Sequence, residues 1–576
     1  MTVPSSAPPR LRTLVLVLAP ASALVFLLAI FHDPTRVASL YVGRATYGAY
    51  QSTLLWYTWF ADHLLTPSAW LLDDFQRYPF GVRPIVLWAG DFLSATLFLP
   101  FQALPSLVVS TNAFVLALLA ANVVATAFVL ARRGLFPVHA ALLGFLLSSH
   151  AFVIEEVRSG RFPQAILFTI PLFLDAWLAW LETGRRRWLV AGAITLGATF
   201  HFYPYNGAFA AGAALLLALV QRRPDWRRLA VAVPVVLGGG ALLYLPVGLA
   251  LLSFQGEFGS FDMGHTDYGS VVRSLPENFA PIYAHSVYVP QIPDYLRDPA
   301  MAACVVGLCF RGRARLWSAI GLLGLLLALG PWPVIEGDGT QPHVLPWTLP
   351  LYWLVRYLPG WSTFSHPVRA LVLPAVLGIG VLALGVGWLE RRLRTRTARG
   401  ILTASLALLV AGAVAMRTAH LECSAPPPSF PALARLGDGK SPLVLLPLGL
   451  SDQYQYAQIF HGRPTLNANG MFLRHKATRE AFEFLLQNSA VQFLRNVQRK
   501  SPEPRPFAEA DLQILLDQGY REVVYVTAAR RRMENAPPEE LSKNRGHDAL
   551  PLQNLRAAFG RPVYTDSQIV VFDLGG

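Results

Sequence analysis

Charge is scarce in this sequence. Asp, Glu, Lys and Arg make up 14% of its 576 residues, where ordinary soluble proteins carry about 25%. That excludes a string of soluble domains, and the 53% hydrophobic content excludes disorder over most of the chain. Cysteine is nearly absent: Cys304, Cys309 and Cys423 form neither a disulfide framework nor a Cys/His metal spacing. Lysine occurs only as Lys440, Lys476, Lys500 and Lys543, so the first three quarters of the chain are basic through arginine alone. No P-loop, GxGxxG, HExxH or GxSxG elbow stands in a fitting context, and nucleotide-driven chemistry is unsupported.

What is present is a series of long apolar runs, with a mean hydropathy of +0.41. A bilayer span needs about 20 apolar residues. Candidate spans lie at 13–31, 108–131, 136–153, 163–181, 188–203, 207–221, 229–253, 298–310, 316–333, 368–389 and 401–419, eleven in all. The first is too long for a signal-peptide core and lacks a small-residue cleavage site, so it reads as an uncleaved anchor.

Arginine placement orients these spans. Alternate connections carry Arg132/Arg133, Arg185–Arg187, Arg222/Arg223/Arg227/Arg228, Arg311/Arg313/Arg315 and Arg391/Arg392/Arg394/Arg396/Arg399. With Arg10 and Arg12 they make 19 arginines, opposed by Glu182, Asp225 and Glu390 only. By the positive-inside rule these connections are cytoplasmic. The net charge of +13 is thus a topology signal, and a nucleic-acid partner is not implied. Eleven spans with a cytoplasmic N-terminus place the C-terminus outside. The outer segments are then 32–107, 154–162, 254–297, 334–367 and a tail from 420. Part of 49–72 is expected to form an interfacial helix, and 91–105 a second helix, interfacial or partly re-entrant.

The tail has ordinary charge density, with 18 basic and 16 acidic residues. After a proline-rich linker from Cys423, its patterning predicts a strand at 442–450 and helices at 476–498 and 507–518. A strand at 522–527, a helix near 548–559 and strands at 562–565 and 568–573 follow. The expected architecture is therefore an α-helical polytopic membrane domain, 1–419, followed by a soluble α/β domain, 420–576.

Candidate chemistry gathers on the outer side. Asp62, Asp73, Asp74 and Asp91 lie in the first outer loop, where a carboxylate can deprotonate an acceptor hydroxyl; each reads equally as a loop carboxylate paired with arginine. Glu155-Glu156-Val-Arg158-Ser-Gly-Arg161 forms a short turn that lines a polar mouth or carries local ion pairs. His201 precedes the Tyr203-Pro204-Tyr205-Asn206 turn and suits a phosphate donor, a proton relay or a hydrogen-bonded interfacial histidine. Arg369 sits at the outer end of a span, against the usual bias, and calls for an anion: a lipid phosphate, an outer Asp or a headgroup. Asp175 lies inside a span toward its cytoplasmic end, where it pairs with Arg185–Arg187 or faces water. In the tail, Tyr454, Tyr456 and His461 suit sugar contact or a packing interface.

The order of these features resembles bacterial membrane proteins of the GT-C glycosyltransferase superfamily, including YfhO-like groups. The matching pieces are a single first span and then a long outer loop with Arg77-Tyr78-Pro79-Phe80-Gly81 and Leu99-Pro100. Asn112, Ser159-Gly160-Arg161, Phe168-Thr-Ile-Pro171-Leu172, His366-Pro-Val-Arg369 and His461-Gly-Arg463-Pro464 follow. The resemblance implies transfer of a sugar from a polyprenyl-phosphate-linked donor to an envelope glycan, lipid or protein acceptor, with inversion, at the periplasmic face of a bacterial inner membrane. It implies a first-loop carboxylate as base, favouring Asp73 or Asp74 with Asp62 and Asp91 in reserve. Arg77, Arg161, His201 and Arg369 would bind the donor phosphate, and Glu155, Tyr454, Tyr456 and His461 would contact acceptor or sugar. No cofactor or divalent metal is implied, since the first loop has no Asp-x-Asp pair. One departure stands out. Where such relatives carry an early Gly-Asp, this chain reads Tyr47-Gly48-Ala49, which motivates the alternative of a non-catalytic GT-C-like protein in envelope assembly or lipid handling. A transporter would need polar groups at mid-membrane and paired repeats, and the spans offer only Asp175.

Overall fold

The computed structural model describes residues 9–45, 48–76, 78–87, 91–220, 226–258, 291–335, 343–345, 347–357, 367–448, 454–467, 479–497, 507–527 and 548–575. Arg77, His366 and Tyr47 lie outside them. The chain divides into two compact units. One comprises Met1–Ala38, Ala89–Leu249 and Thr266–Cys423; the other Ser39–Trp88, Ala250–His265 and Ser424–Gly576. The expected boundary at 419/420 thus moves to 423/424, and most of the first outer loop groups with the tail.

The first unit is helical. Leu107–Arg132 packs against Pro137–Ser148 and against Pro9–Phe31; Thr169–Thr183 packs on Arg186–Phe202, and Arg313–Ala328 on Val372–Arg392. Small residues permit the close approach: a Cβ on Gly144 would collide with the Val123 carbonyl of the neighbouring helix, the packing expected where helices cannot rely on hydrophobic exclusion from lipid. The outer helices leave apolar side chains bare, with Leu16 75%, Leu242 67% and Leu408 75% exposed. Such surface belongs in lipid, and the chain is an integral membrane protein.

Among the described residues, six helices are long and apolar enough to span a membrane: Thr13–Phe31, Leu107–Arg132, Phe162–Thr183, Trp226–Ala250, Pro367–Arg392 and Arg396–Thr418. A seventh arises if the bent pair Pro137–Ser148 and Ala151–Arg158, at 47°, counts as one. This is fewer than the eleven expected. The runs at 188–203, 207–221, 298–310 and 316–333 become Arg186–Phe202, Pro204–Leu219, Pro299–Gly307 and Arg313–Ala328, each short of the length of a span. Pro204 and Pro299 stand at first helical positions, where the missing N–H costs nothing, and mark where two of these short helices begin. The bend at 149–150 has its own caps. His150 Nδ1 accepts from the Phe152 amide at 3.1 Å, and Asp298 accepts from the amides of Ala151 at 3.1 Å and Ala300 at 3.0 Å. Buried Asn122 does similar work, donating to the Ala165 carbonyl and accepting from the Leu167 amide, both at 3.0 Å. Backbone that leaves the helix at membrane depth needs such partners.

The second unit is built on a four-stranded sheet. Leu443–Leu446 runs parallel to Glu522–Val526, which pairs antiparallel with Ile569–Asp573; Tyr564–Thr565 closes the edge. Side chains alternate between faces. Val444, Leu446, Val523, Tyr525, Val570 and Phe572 pack with Leu485, Val491, Leu494, Leu515 and Leu555 from helices on one side. Leu443, Leu445, Val524, Val526, Ile569 and Val571 pack with Phe430, Leu433, Tyr454 and Ala457 on the other. Both faces are covered, which is why these strands read as unbroken apolar runs. The helix expected at 476–498 is two helices, Arg479–Gln487 and Ser489–Asn496, because Asn488 caps the second through its side chain. The helix Gly48–His63 falls where an interfacial one was expected, and Phe92–Phe98 with the 3-10 turn Leu99–Ala103 falls in 91–105.

Candidate functional site

In the second unit, the first-loop segment is anchored to the sheet by the motif around Tyr78. The Tyr78 amide donates to the Thr465 carbonyl at 3.1 Å, Tyr520 Oη donates to the Tyr78 carbonyl, and the Phe80 and Phe484 rings lie 5.0 Å apart. On either side of Tyr78 the backbones of Asp73 and Val82 exchange hydrogen bonds of 2.9 and 2.7 Å. This bridge requires Gly81, at φ +74°, since a Cβ there would stand 2.7 Å from the Asp73 carbonyl oxygen. The bridge fixes Asp73. Its carboxylate accepts from the Phe75 amide at 2.9 Å and lies 3.8 Å from His63 Nε2. The His63 ring stacks on Trp59 at 4.4 Å, with Nδ1 2.9 Å from the Trp59 carbonyl. Burial pushes the Asp73 carboxyl above its ordinary range, against the Phe75 amide, His63 and Trp59, which favour the charged form.

The other carboxylates differ. Asp62 and Asp74 are exposed. Asp91 belongs to the first unit, is buried and accepts from Ser94 Oγ; burial holds its carboxyl well above the usual range. The segment from Tyr454 to His461 is a surprise of the opposite kind. Tyr454, Tyr456 and His461 are all buried. Tyr456 Oη meets Tyr41 Oη at 3.1 Å, and His461 Nδ1 accepts from the Arg463 amide at 3.1 Å. Arg463, itself buried, forms an ion pair with Glu522 at 2.6 Å and donates to the carbonyls of Ser441, Leu433 and Leu436. The expected sugar-contacting surface is therefore core: amphipathic side chains in a helix beside a covered sheet face inward.

In the first unit, a polar cluster stands just before the helix Thr169–Thr183. Glu156, with 3% of its side chain exposed, pairs with Arg161 Nε at 2.5 Å. Gln164, its amide turned to satisfy both neighbours, donates to Glu156 Oε2 at 2.8 Å and accepts from Arg369 Nη2 at 3.3 Å. The Arg369 guanidinium stands 4.8 Å from the Tyr203 ring centre and 5.1 Å from that of Tyr205. Arg369 has no carboxylate partner among the described residues. Asn206 donates to the Gln164 carbonyl at 3.2 Å, while its Oδ1 and the Tyr203 hydroxyl are buried without a hydrogen-bond partner among the described residues.

Three sequence expectations change here. Glu155 lies outside the cluster, exposed and tied to Arg158 at 3.2 Å; Arg158 reaches on to Glu422 at 2.8 Å. His201 Nε2 lies 2.8 Å from the Leu243 carbonyl, apart from these arginines' hydrogen bonds. Asp175 pairs with Arg133 at 2.5 Å and with Arg132, not with Arg185–Arg187; the arginines that end the adjacent helix Leu107–Arg132 reach it first. Gln164 and His63 were not singled out from the sequence. Their importance comes from contacts made across elements, though His63 lies in the same outer loop as Asp73. Among the described residues, no three His, Cys, Asp or Glu side chains gather as metal ligands.

No protein family matches the sequence, and no curated protein does either. Solved structures do match in fold. The chain aligns over 100% of its length with 40% of the arabinofuranosyltransferase AftD from Mycobacteria, at a TM-score of 0.54 and 17% identity. With the archaeal oligosaccharyltransferase AglB from Archaeoglobus fulgidus, solved with an inhibitory peptide and a dolichol-phosphate, it shares a TM-score of 0.50 at 13% identity, over 89% of this chain and 69% of that one. With apo ArnT from Cupriavidus metallidurans the score is 0.50 at 14% identity, over 98% of both chains. The chain therefore has a GT-C-like membrane fold.

Proposed function

We propose that this chain is an integral-membrane glycosyltransferase that moves a sugar from a polyprenyl-phosphate donor to an acceptor of the cell envelope, at the periplasmic face of a bacterial inner membrane. The arginine-rich connections would be cytoplasmic and the tail outside. In the reaction a carboxylate takes the proton of an acceptor hydroxyl, and the acceptor oxygen bonds to the sugar's anomeric carbon with inversion. The bond from that carbon to the phosphate oxygen breaks, and its electron pair leaves with the lipid phosphate. Asp73 suits the base, because a raised carboxyl pKa makes a stronger proton acceptor. Arg369 suits the leaving phosphate. The observation that carries the reading is this arginine at the start of a span, held by an amide and two tyrosine rings but by no carboxylate among the described residues.

The test is mass spectrometry of envelope glycans and glycolipids from wild type, a deletion, and the deletion complemented with Asp73→Asn or Arg369→Gln. Loss of one defined sugar in the deletion, unrestored by either variant, is the expected result. Restoration by both would favour the non-catalytic scaffold motivated by Gly48-Ala49.

A further inference from the structure

We infer that Glu156 sets the charge of the outer arginine cluster and, through Gln164, positions Arg369, so that the cluster accepts one phosphodiester group in preference to a diphosphate. This rests on the reading of Arg369 as a phosphate partner and adds which lipid-linked donor the cluster suits.

The charge count comes first. Of the two guanidiniums beside Gln164, Arg161 pairs with Glu156, and Arg369 meets the Gln164 amide oxygen and no carboxylate among the described residues. Glu156 spends its charge on Arg161 through a 2.5 Å ion pair, and the Arg161 amide also donates to the Glu156 carbonyl at 2.8 Å. One positive charge remains, on Arg369. The nearby Arg158 does not alter this balance, since it is tied to Glu155 and Glu422, both well exposed and screened by water. A sugar linked to a lipid through one phosphate is a diester with one negative charge; a diphosphate link carries more, and would leave charge unmatched in a partly buried site.

The placement of Arg369 depends on the same carboxylate. Gln164 has one amide group, and Glu156 engages its nitrogen at 2.8 Å, which turns its oxygen toward Arg369 Nη2 at 3.3 Å. The rings of Tyr203 and Tyr205 fix the guanidinium from the other side. An amide oxygen holds Arg369 without neutralising it, as a carboxylate at 164 would. Two groups at the cluster wait for a ligand: the buried Tyr203 hydroxyl, which can donate to a phosphate oxygen, and the buried Asn206 Oδ1, which can accept from a sugar hydroxyl. Glu156 and Gln164 are thus positioning residues that also set specificity.

The test uses the purified full-length chain in lipid nanodiscs. Three probes are compared: methyl farnesyl phosphate, a monoanionic diester; farnesyl diphosphate; and farnesol as the neutral control. Affinities are measured by thermophoresis between low and high salt, with thermal unfolding of each variant alongside. Wild type should prefer the diester. Glu156→Gln, which keeps the shape and frees the charge of Arg161, should raise the diphosphate-to-diester affinity ratio roughly tenfold and steepen the salt dependence. Gln164→Glu should weaken both anionic probes, and the diphosphate more. Gln164→Leu should weaken the diester roughly threefold while leaving the salt dependence unchanged, an effect of position alone. If Arg369→Gln loses phosphate affinity but folded Glu156→Gln and Gln164→Glu leave the ratio unchanged, the inference is wrong while the phosphate reading stands. If wild type binds neither anionic probe better than farnesol, both are wrong.

Discussion

The span Phe162–Thr183 has an arginine cluster near each end, and the two are built on different rules. Toward its C-terminus, Asp175, 3% exposed, is bound by both Arg132 and Arg133, while the more exposed Glu182 meets Arg133 at 2.7 Å and Arg313 at 3.8 Å. At its N-terminus, Glu156 alone meets Arg161, and Arg369 is left to an amide and two rings. The first cluster is closed around its buried carboxylate: two guanidiniums hold Asp175, and the third arginine, Arg313, is exposed and screened by water. The second is open: the half-buried Arg369 meets no carboxylate among the described residues. A closed cluster holds helices together, whereas an open one is suited to an anion from outside. The sequence shows arginines in both places and does not distinguish them; the partners of each guanidinium do.

Carboxylates divide the same way. Asp175 is a carboxylate consumed by arginines. Asp73 faces no arginine among the described residues and has instead an amide and a histidine.

Mutations should separate the two kinds. The largest effect is expected from Arg369→Gln and Asp73→Asn, each lowering transfer by roughly 100-fold or more with thermal unfolding of the purified protein almost unmoved. If either variant kept wild-type turnover, its place among the open groups would be lost. Asp175→Asn should do the reverse. It takes the buried carboxylate from the half-buried Arg132 and leaves Arg133 with Glu182 alone, at a cost of about 1–3 kcal/mol, read by denaturation in detergent, while turnover per folded molecule stays near wild type. A smaller effect concerns pH. Burial raises the Asp73 carboxyl, so the base protonates, and kcat/KM falls, at a higher pH than an exposed Asp would give. His63 works against that rise when charged, and His63→Gln should therefore move the acid limb to still higher pH; a shift to lower pH would contradict the contact. The smallest effect lies in the tail. Burial pushes the His461 imidazole down to about 3 from its ordinary 6.5. Below the ordinary value the unfolded chain takes up a proton that the folded one refuses, so stability is complete above it and is lost as pH falls toward about 3. Hydrogen exchange of the strand Leu443–Leu446 at pH 7 and pH 5 should show weaker protection at the lower pH, and His461→Gln should flatten the difference.

Local signals carried much of the fold. Strands at 443–446, 522–526 and 569–573 fell inside predicted segments because short apolar runs bounded by turn residues have few other solutions. Spans were harder. Hydropathy counts apolar residues and not the length over which they stay helical, so the runs at Pro204–Leu219 and Pro299–Gly307 were read as crossings though their helices have 16 and 9 residues. Site residues were legible only where a residue breaks a local rule. Arg369 did, as a cation at the start of a long apolar run. Tyr456 and His461 did not, since an aromatic or amide in a short helix looks the same whether it faces sugar or a sheet. Gln164 carried no signal at all, because its role is the distance between two charges that lie 213 residues apart in the chain.

The most direct measurement is release of free polyprenyl phosphate by the purified protein, reconstituted with the lipid-linked sugars and acceptors of its own membrane. Wild type and Asp175→Asn should release it at similar rates per folded molecule, and Arg369→Gln should release almost none. Equal release by Arg369→Gln, or none by wild type, would contradict the division between an open and a closed cluster on which the proposed transfer rests.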